Sequence, residues 1–202
     1  MRFRIKYTFV LLLTVAAVSS RPAAGQASKA PSPDRPLRSD LALDYSYLRS
    51  NAPPGGCTCF NLNGASVNIA FPAVPGKFAF VADLTIENTG KVSTSAYSLT
   101  LGTFTVGARY LPKMHHSPFQ PFGQIMAGAA HAGGSLTLPP NPLAQNASLA
   151  FAASIGGGLD VHLNRRFGLR LAQADYYPTT FDNGSNNHQN NFRLSAGAVI
   201  HF

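Results

Sequence analysis

The chain has 202 residues, 45% of them hydrophobic, with 16 Lys and Arg against 8 Asp and Glu and a formal net charge of +8. That length suits one domain. Four of the 16 basic side chains (Arg2, Arg4, Lys6, Arg21) fall in residues 1–27, and without them 12 face 8, a net +4 that gives no ground for nucleic-acid binding.

Those first residues have the order of a secretory signal rather than of a folded element. Arg2, Arg4 and Lys6 precede an apolar run from Tyr7 to Val18, and small residues follow around Ala23–Ala27. The run is too short for a membrane-spanning helix, which needs about 20 apolar residues. We expect cleavage near Gly25 or Ala27, and export through the periplasm. Residues 28–38, with Pro31, Pro33 and Pro36, cannot pack and are expected to be a disordered lead-in, leaving 39–202 as the folded domain.

From Asp40 onward the apolar residues recur at every second position, the period of a strand with two unlike faces. In Asp40 to Arg49, Leu41, Leu43, Tyr45 and Tyr47 oppose Asp44 and Ser46. A Gly/Pro-rich loop follows, holding Cys57 and Cys59. A bridge between residues two apart would be strained. Two thiolates with no local histidine are half a zinc site. A chemically idle loop pair and a free or intermolecular thiol pair both fit.

The second strand alternates Ala65, Val67, Ile69 and Phe71 with Ser66, Asn68 and Ala70, and the third sets Phe78, Phe80, Ala82, Leu84 and Ile86 against Val81, Asp83, Thr85 and Glu87. Leu99 to Leu111 sets Phe104, Val106, Ala108 and Tyr110 against Thr103, Thr105, Gly107 and Arg109. Phe122 to Ala132 is weaker in pattern, while Leu149 to Leu163 is clear, with Ser154, Gly156, Gly158, Asp160 and His162 on its polar face. Gly168 to Tyr177 disagrees with itself. Strict alternation sets Gln173 and Asp175 on the face of Leu169 and Leu171, so either a bulge re-phases the strand or a charge snorkels from the apolar face. Phe192 to Phe202 closes the series with Phe192, Leu194, Ala196, Ala198, Ile200 and Phe202 on one side.

Eight such strands, with alternately longer and shorter connections, spell an all-β, eight-stranded antiparallel up-and-down transmembrane β-barrel. A periplasmic start puts the Cys57 loop, 88–97, 133–147 and 182–190 outside, and the connections 72–77, 112–121 and 164–167 on the periplasmic side. A soluble barrel would reverse the faces and line a pocket with the apolar ones. The tyrosines near strand ends (Tyr45, Tyr47, Tyr97, Tyr110, Tyr176, Tyr177) suit an interfacial girdle instead. A charge facing hydrocarbon costs a few kcal/mol at the midplane, so charges on polar faces must point inward. We therefore expect Asp44, Asp83, Arg109, Asp160, Asp175 and Arg193 to form a stabilising network in a lumen just wide enough for side chains. A narrow water or ion path is the competing use of those charges.

The alternating strands and the run Leu194-Ser-Ala-Gly-Ala-Val-Ile-His-Phe202 resemble the outer-membrane β-barrel family of OmpA-type transmembrane domains and OmpX-like proteins. Ile155-Gly-Gly-Gly-Leu-Asp-Val161 with Leu169-Arg-Leu-Ala-Gln-Ala-Asp-Tyr176 is similar to barrels described as porin-family proteins. The resemblance implies a Gram-negative outer-membrane location, contact with lipid and lipopolysaccharide, and recognition of Ala196, Ala198, Ile200 and Phe202 by the barrel-assembly machinery. No peptidoglycan-binding domain is expected after Phe202, so that part of OmpA-type function is not implied. The resemblance further implies a structural or surface-interaction role, with an extracellular ligand or surface partner for the outer loops. A small pore is the alternative. A lipid A-modifying enzyme is less favoured: His115-His-Ser117 falls in a periplasmic connection, and His131 near Ser135 has no orienting carboxylate in its segment. No catalytic residue, metal or cofactor is expected.

Overall fold

A computed structural model describes residues 38–50, 59–74, 77–90, 98–112, 114, 117–134, 149–181 and 188–202. The expected signal and lead-in up to residue 37, Cys57, Tyr97, His115, His116, Ser135 and most of the loops lie outside these residues. Eight strands follow one another in a closed antiparallel barrel: β1 (Asp40–Ser50), β2 (Phe60–Val74), β3 (Phe78–Thr89), β4 (Leu99–Tyr110), β5 (Phe119–Gly134), β6 (Leu149–His162), β7 (Phe167–Thr179) and β8 (Gln189–His201). Each strand pairs with its neighbour in sequence, and β8 closes on β1 through the pairs from Asp40↔His201 to Ser50↔Asn191. Ser39 and Phe202 exchange backbone hydrogen bonds of 2.9 and 3.0 Å just beyond the Asp40↔His201 pair.

The register fixes the tilt. From Asp40 the pairs run through Ala70, Val81, Gly107 and Met126 to Ser154, cross to Tyr177 and Asn191, and return to β1 at Ser50. One circuit thus climbs ten residues along β1, from Asp40 to Ser50, which sets the strands about 40° from the barrel axis.

The two faces sort as the period-two pattern requires. Leu43, Tyr45, Phe80, Leu84, Ile86, Phe104, Ile125, Phe151, Ile155, Phe192 and Phe202 lie on the outside, 45–66% exposed, values that make the exterior rather than the interior the apolar surface. On β8 this surface runs from Phe192 to Phe202, ten steps of about 3.3 Å at a tilt of about 40°, a band about 25 Å tall.

Strands β2 and β5 start earlier than their alternation suggests. Asn61 and Asn63 are exposed and Phe60 and Leu62 buried, so at the loop end the faces exchange character. The same exchange puts Arg49 and Thr100 outside and Leu48 and Leu101 inside. A search for apolar residues on the outer face therefore loses these strands where they rise above the apolar band. Pro121 disguised the start of β5. The β4 ladder stops at Gly123, so Pro121 has a strand neighbour on one side only, where its missing N–H leaves no gap. The connection expected to run to Pro121 ends before Phe119.

Strand β7 carries the bulge. Arg170 pairs with Asp160 and Gly197 whereas Ala172 pairs with Leu159 and Gln173 with Ser195, leaving Leu171 as the extra residue. Leu171 and Ala172 both face outward, and Arg170, Gln173 and Asp175 all face inward. The extra residue re-phases the strand, and no charge has to snorkel.

Candidate functional site: the filled lumen

The lumen is built in three levels. At the loop end Leu48, Phe60, Leu62, Leu101, Ala130, Ala152, Tyr177 and Phe181 pack into an apolar cluster. Tyr177 belongs here and not to an exterior girdle, since β7 turns it inward and its ring lies 5.3 Å from the Arg193 guanidinium carbon. Tyr45, Tyr110 and Tyr176 are exposed on the exterior, and Tyr45 donates to Asn63 and Tyr176 to Asn190.

The middle level is ionic. Arg193 donates to Asp83 at 3.0 Å and to Asp175 at 3.0 Å, and its Nη1 also reaches Thr85 at 2.8 Å. Asn68 donates to Asp83 at 3.3 Å and accepts from Arg109 at 2.8 Å. Arg109 donates to Gln124 at 2.9 Å, and Gln124 donates to Asp175 at 3.3 Å, which brings the chain of bonds back to Arg193. These six side chains, from β2, β3, β4, β5, β7 and β8, close a hydrogen-bonded ring across the bore. Arg170 forms a second group, with Asp44 at 2.9 Å and Asp160 at 2.9 Å. The two groups meet on Phe122, whose ring lies 4.2 Å from the Arg109 guanidinium carbon and 4.9 Å from that of Arg170. Glu87, buried beside them, accepts from Ser46.

The six residues expected in the lumen (Asp44, Asp83, Arg109, Asp160, Asp175 and Arg193) are thus all inside and 0–7% exposed, low enough that each needs a bonded partner. The arrangement adds residues that alternation alone did not supply. Arg170 is the main one. It lies opposite Leu169 and Leu171 in sequence, and only a bulge after it lets Arg170 and Asp175 both turn inward. Asn68, Gln124 and Phe122 carry no charge, and nothing in their positions distinguished a ring member from a plain inward residue. Arg109 has amide oxygens and an aromatic face as its direct partners and no carboxylate within ion-pair distance among the described residues.

Along β2, β3 and β5, beside the ionic ring, Ala70, Ala79, Val81 and Met126 form a second apolar cluster. At the end holding the termini the lumen is filled again. His201 stands 2.6 Å from Asp40 and 3.0 Å from His162. Gly156 and Gly158 make room for the level above. A Cβ at Gly156 would meet Asp175, and one at Gly158 would meet the Phe122 ring. Among the described residues no group of three or more His, Cys, Asp and Glu side chains could hold a metal ion. His131 is exposed on the outer face of β5, and the Ser117 hydroxyl accepts from the Phe119 amide at 3.1 Å. Ala196, Ala198, Ile200 and Phe202 form the exterior edge of β8 beside β1.

Solved structures similar to this one include eight-stranded outer-membrane barrels. Neisserial surface protein A superposes with a TM-score of 0.58 at 15% identity, over 81% of this chain and 97% of that one. Ail, the attachment invasion locus protein of Yersinia pestis, in complex with the heparin analogue sucrose octasulfate, gives 0.54 at 14% identity over 82% and 99%. Ail without that ligand gives 0.53 at 13% identity. No protein-family model matches the chain, and neither does any curated protein. At these identities the likeness is one of fold.

Proposed function

We propose that the protein is an outer-membrane barrel that serves as a sealed anchor for its outer loops, with a structural or surface-contact role and no solute flux. The filling of the bore carries this reading. An ionic ring drawn from six strands fills the bore beside one apolar cluster and below another at the loop end, so an ion crossing the lumen would have to break bonded charge pairs and displace packed side chains. The exterior supports membrane placement. Its band of about 25 Å is the height of the lipid-facing zone of such barrels, bounded at the loop end by Arg49, Asn61, Asn63, Asn88 and Asn190. In a soluble barrel Phe80, Phe104, Ile125 and Phe151 would be in water, an apolar surface no soluble monomer keeps.

Within this reading residues 1–27 direct export through the periplasm, and the β8 edge with Phe202 is what the barrel-assembly machinery engages. The network of Asp44, Asp83, Arg109, Asp160, Asp175 and Arg193, extended by Arg170, stabilises the bore. Lipid and lipopolysaccharide surround the band, and any extracellular partner meets the loop end, as the heparin analogue bound to Ail illustrates for another barrel.

Planar-bilayer recording on the purified full chain tests the sealed bore. We expect no stable unitary current steps. Reproducible steps from the wild-type protein would overturn the anchor reading in favour of a pore.

A further inference from the structure

The exposed charge of the barrel is one-sided. Among the described residues every Asp and Glu is buried or half-buried, and the one half-buried carboxylate, Asp40, is held by His201. Among the described residues the exposed Lys and Arg side chains are Arg38, Arg49, Lys77, Arg165 and Arg166, and all of these but Arg49 lie at the end that carries the termini. Three of these cations share one sector. Arg165 and Arg166 sit in the tight β6–β7 turn, which Asn164 fixes by accepting from the backbone amides of Arg166 at 2.8 Å and Phe167 at 2.9 Å. Arg38, just before β1, donates through Nη1 to the Arg165 carbonyl, and the His201 amide donates to the Arg166 carbonyl at 2.8 Å. The turn, the start of β1 and the end of β8 are thereby tied together, which brings three exposed arginines into one sector with no exposed Asp or Glu there among the described residues.

Directly beside these cations Leu163, Phe167 and Phe202 point outward, 52–66% exposed, so they form the last apolar step of the exterior band. We infer that Arg38, Arg165 and Arg166 form a binding site for the phosphate groups of anionic phospholipids in the periplasmic leaflet, with Leu163, Phe167 and Phe202 against the acyl chains of the same lipids. The inference rests on membrane placement, because apolar residues sunk in hydrocarbon put guanidinium groups one step below them at headgroup depth. Arginine suits the task, since its planar fork gives two parallel bonds to a phosphate. Cations beside an anionic leaflet gain attraction that falls off within a screening length.

The experiment uses the full chain refolded into phosphatidylcholine vesicles with and without phosphatidylglycerol of the same chain length. The barrel is then extracted, and its retained lipids are counted by native mass spectrometry. We expect phosphatidylglycerol to be enriched over phosphatidylcholine on the wild-type barrel. The preference should fall roughly fivefold for each arginine removed in R38Q, R165Q and R166Q, and should vanish for the wild type in about 1 M salt, where the screening length is about 3 Å. R49Q, at the opposite end, should keep it. Equal retention of the two lipids, a salt-insensitive preference, or an equal loss in R49Q would overturn the site. So would capture of soluble anionic peptidoglycan fragments without any lipid preference, which would point to a polymer partner. If any of these variants does not refold, the salt series on the wild type decides. A barrel that inserts into both vesicles without preference sinks the site and spares membrane placement, whereas one that enters neither sinks both.

Discussion

At the residue scale the decisive feature is how buried charge is shared. Arg193 is 2% exposed and faces two carboxylates, Asp83 and Asp175, so removing it strands two anions at once. Breaking a buried pair by deleting one partner costs about 3–5 kcal/mol. We therefore expect Arg193→Leu to lower stability by at least about 3 kcal/mol in urea unfolding of the vesicle-inserted barrel, and a loss below about 1 kcal/mol would contradict the ring. Asp160→Ala should cost less. Arg170 keeps Asp44 as a partner, and the Asp160 side chain retains some solvent access. That variant should still show a lower unfolding temperature with the bilayer silent, and an open-pore current would mean that the network seals the bore without bracing it. Gly158 tests the stack between the two charge groups. A methyl there meets both the Ala172 carbonyl oxygen and the Phe122 ring on which Arg109 and Arg170 rest, so Gly158→Ala should cost about 1–3 kcal/mol.

At the element scale β7 shows how far alternation can be followed and where it breaks. Below the bulge Arg170 is inward and above it Gln173 and Asp175 are inward, with Leu171 and Ala172 both outside. Deleting Leu171 would leave Arg170 inward, Ala172 outward and Gln173 inward in an unbroken series. We expect that deletion to yield a folded, heat-modifiable barrel on gels. Deleting Ala129, in a strand with no bulge, would turn one half of β5 inside out and should abolish that form. If the Leu171 deletion fails and the Ala129 deletion folds, the assignment of the extra residue is wrong. The period-two pattern carried most of the chain because lipid on one side and a filled bore on the other impose opposite demands on successive residues. It failed where those demands change. Above the apolar band Leu48, Leu62 and Leu101 are inside and Asn61 and Asn63 outside, as in a soluble barrel, so β2 reads as loop where it is strand. Tyr177 was misassigned for the same reason, since a tyrosine near a strand end suits both an interfacial girdle and the apolar plug of the bore.

At the scale of the whole molecule the barrel changes along its axis: an apolar plug at the loop end, an ionic middle flanked by Ala70, Ala79, Val81 and Met126, and a histidine pair at the end that carries the termini. Location along the axis, more than the face a residue occupies, decides what its neighbours are. The charged partners of the ring come from strands far apart in the chain, such as Asp83 and Arg193, 110 positions apart. Sequence placed both on inward faces but could not pair them, because pairing across the bore depends on the ten-residue climb of the register.

The central claim is that the outer face of every strand meets lipid and the inner face does not. It can be tested along β3 in a chain whose Cys57 and Cys59 are replaced by serine. Single cysteines at Val81, Ala82, Leu84, Thr85 and Ile86 are labelled with a fluorophore, and quenching by nitroxide-bearing lipids in the vesicle is measured. The account predicts strong quenching at Ala82, Leu84 and Ile86 and little at Val81 and Thr85. Uniform quenching, or quenching strongest at Val81 and Thr85, would contradict it.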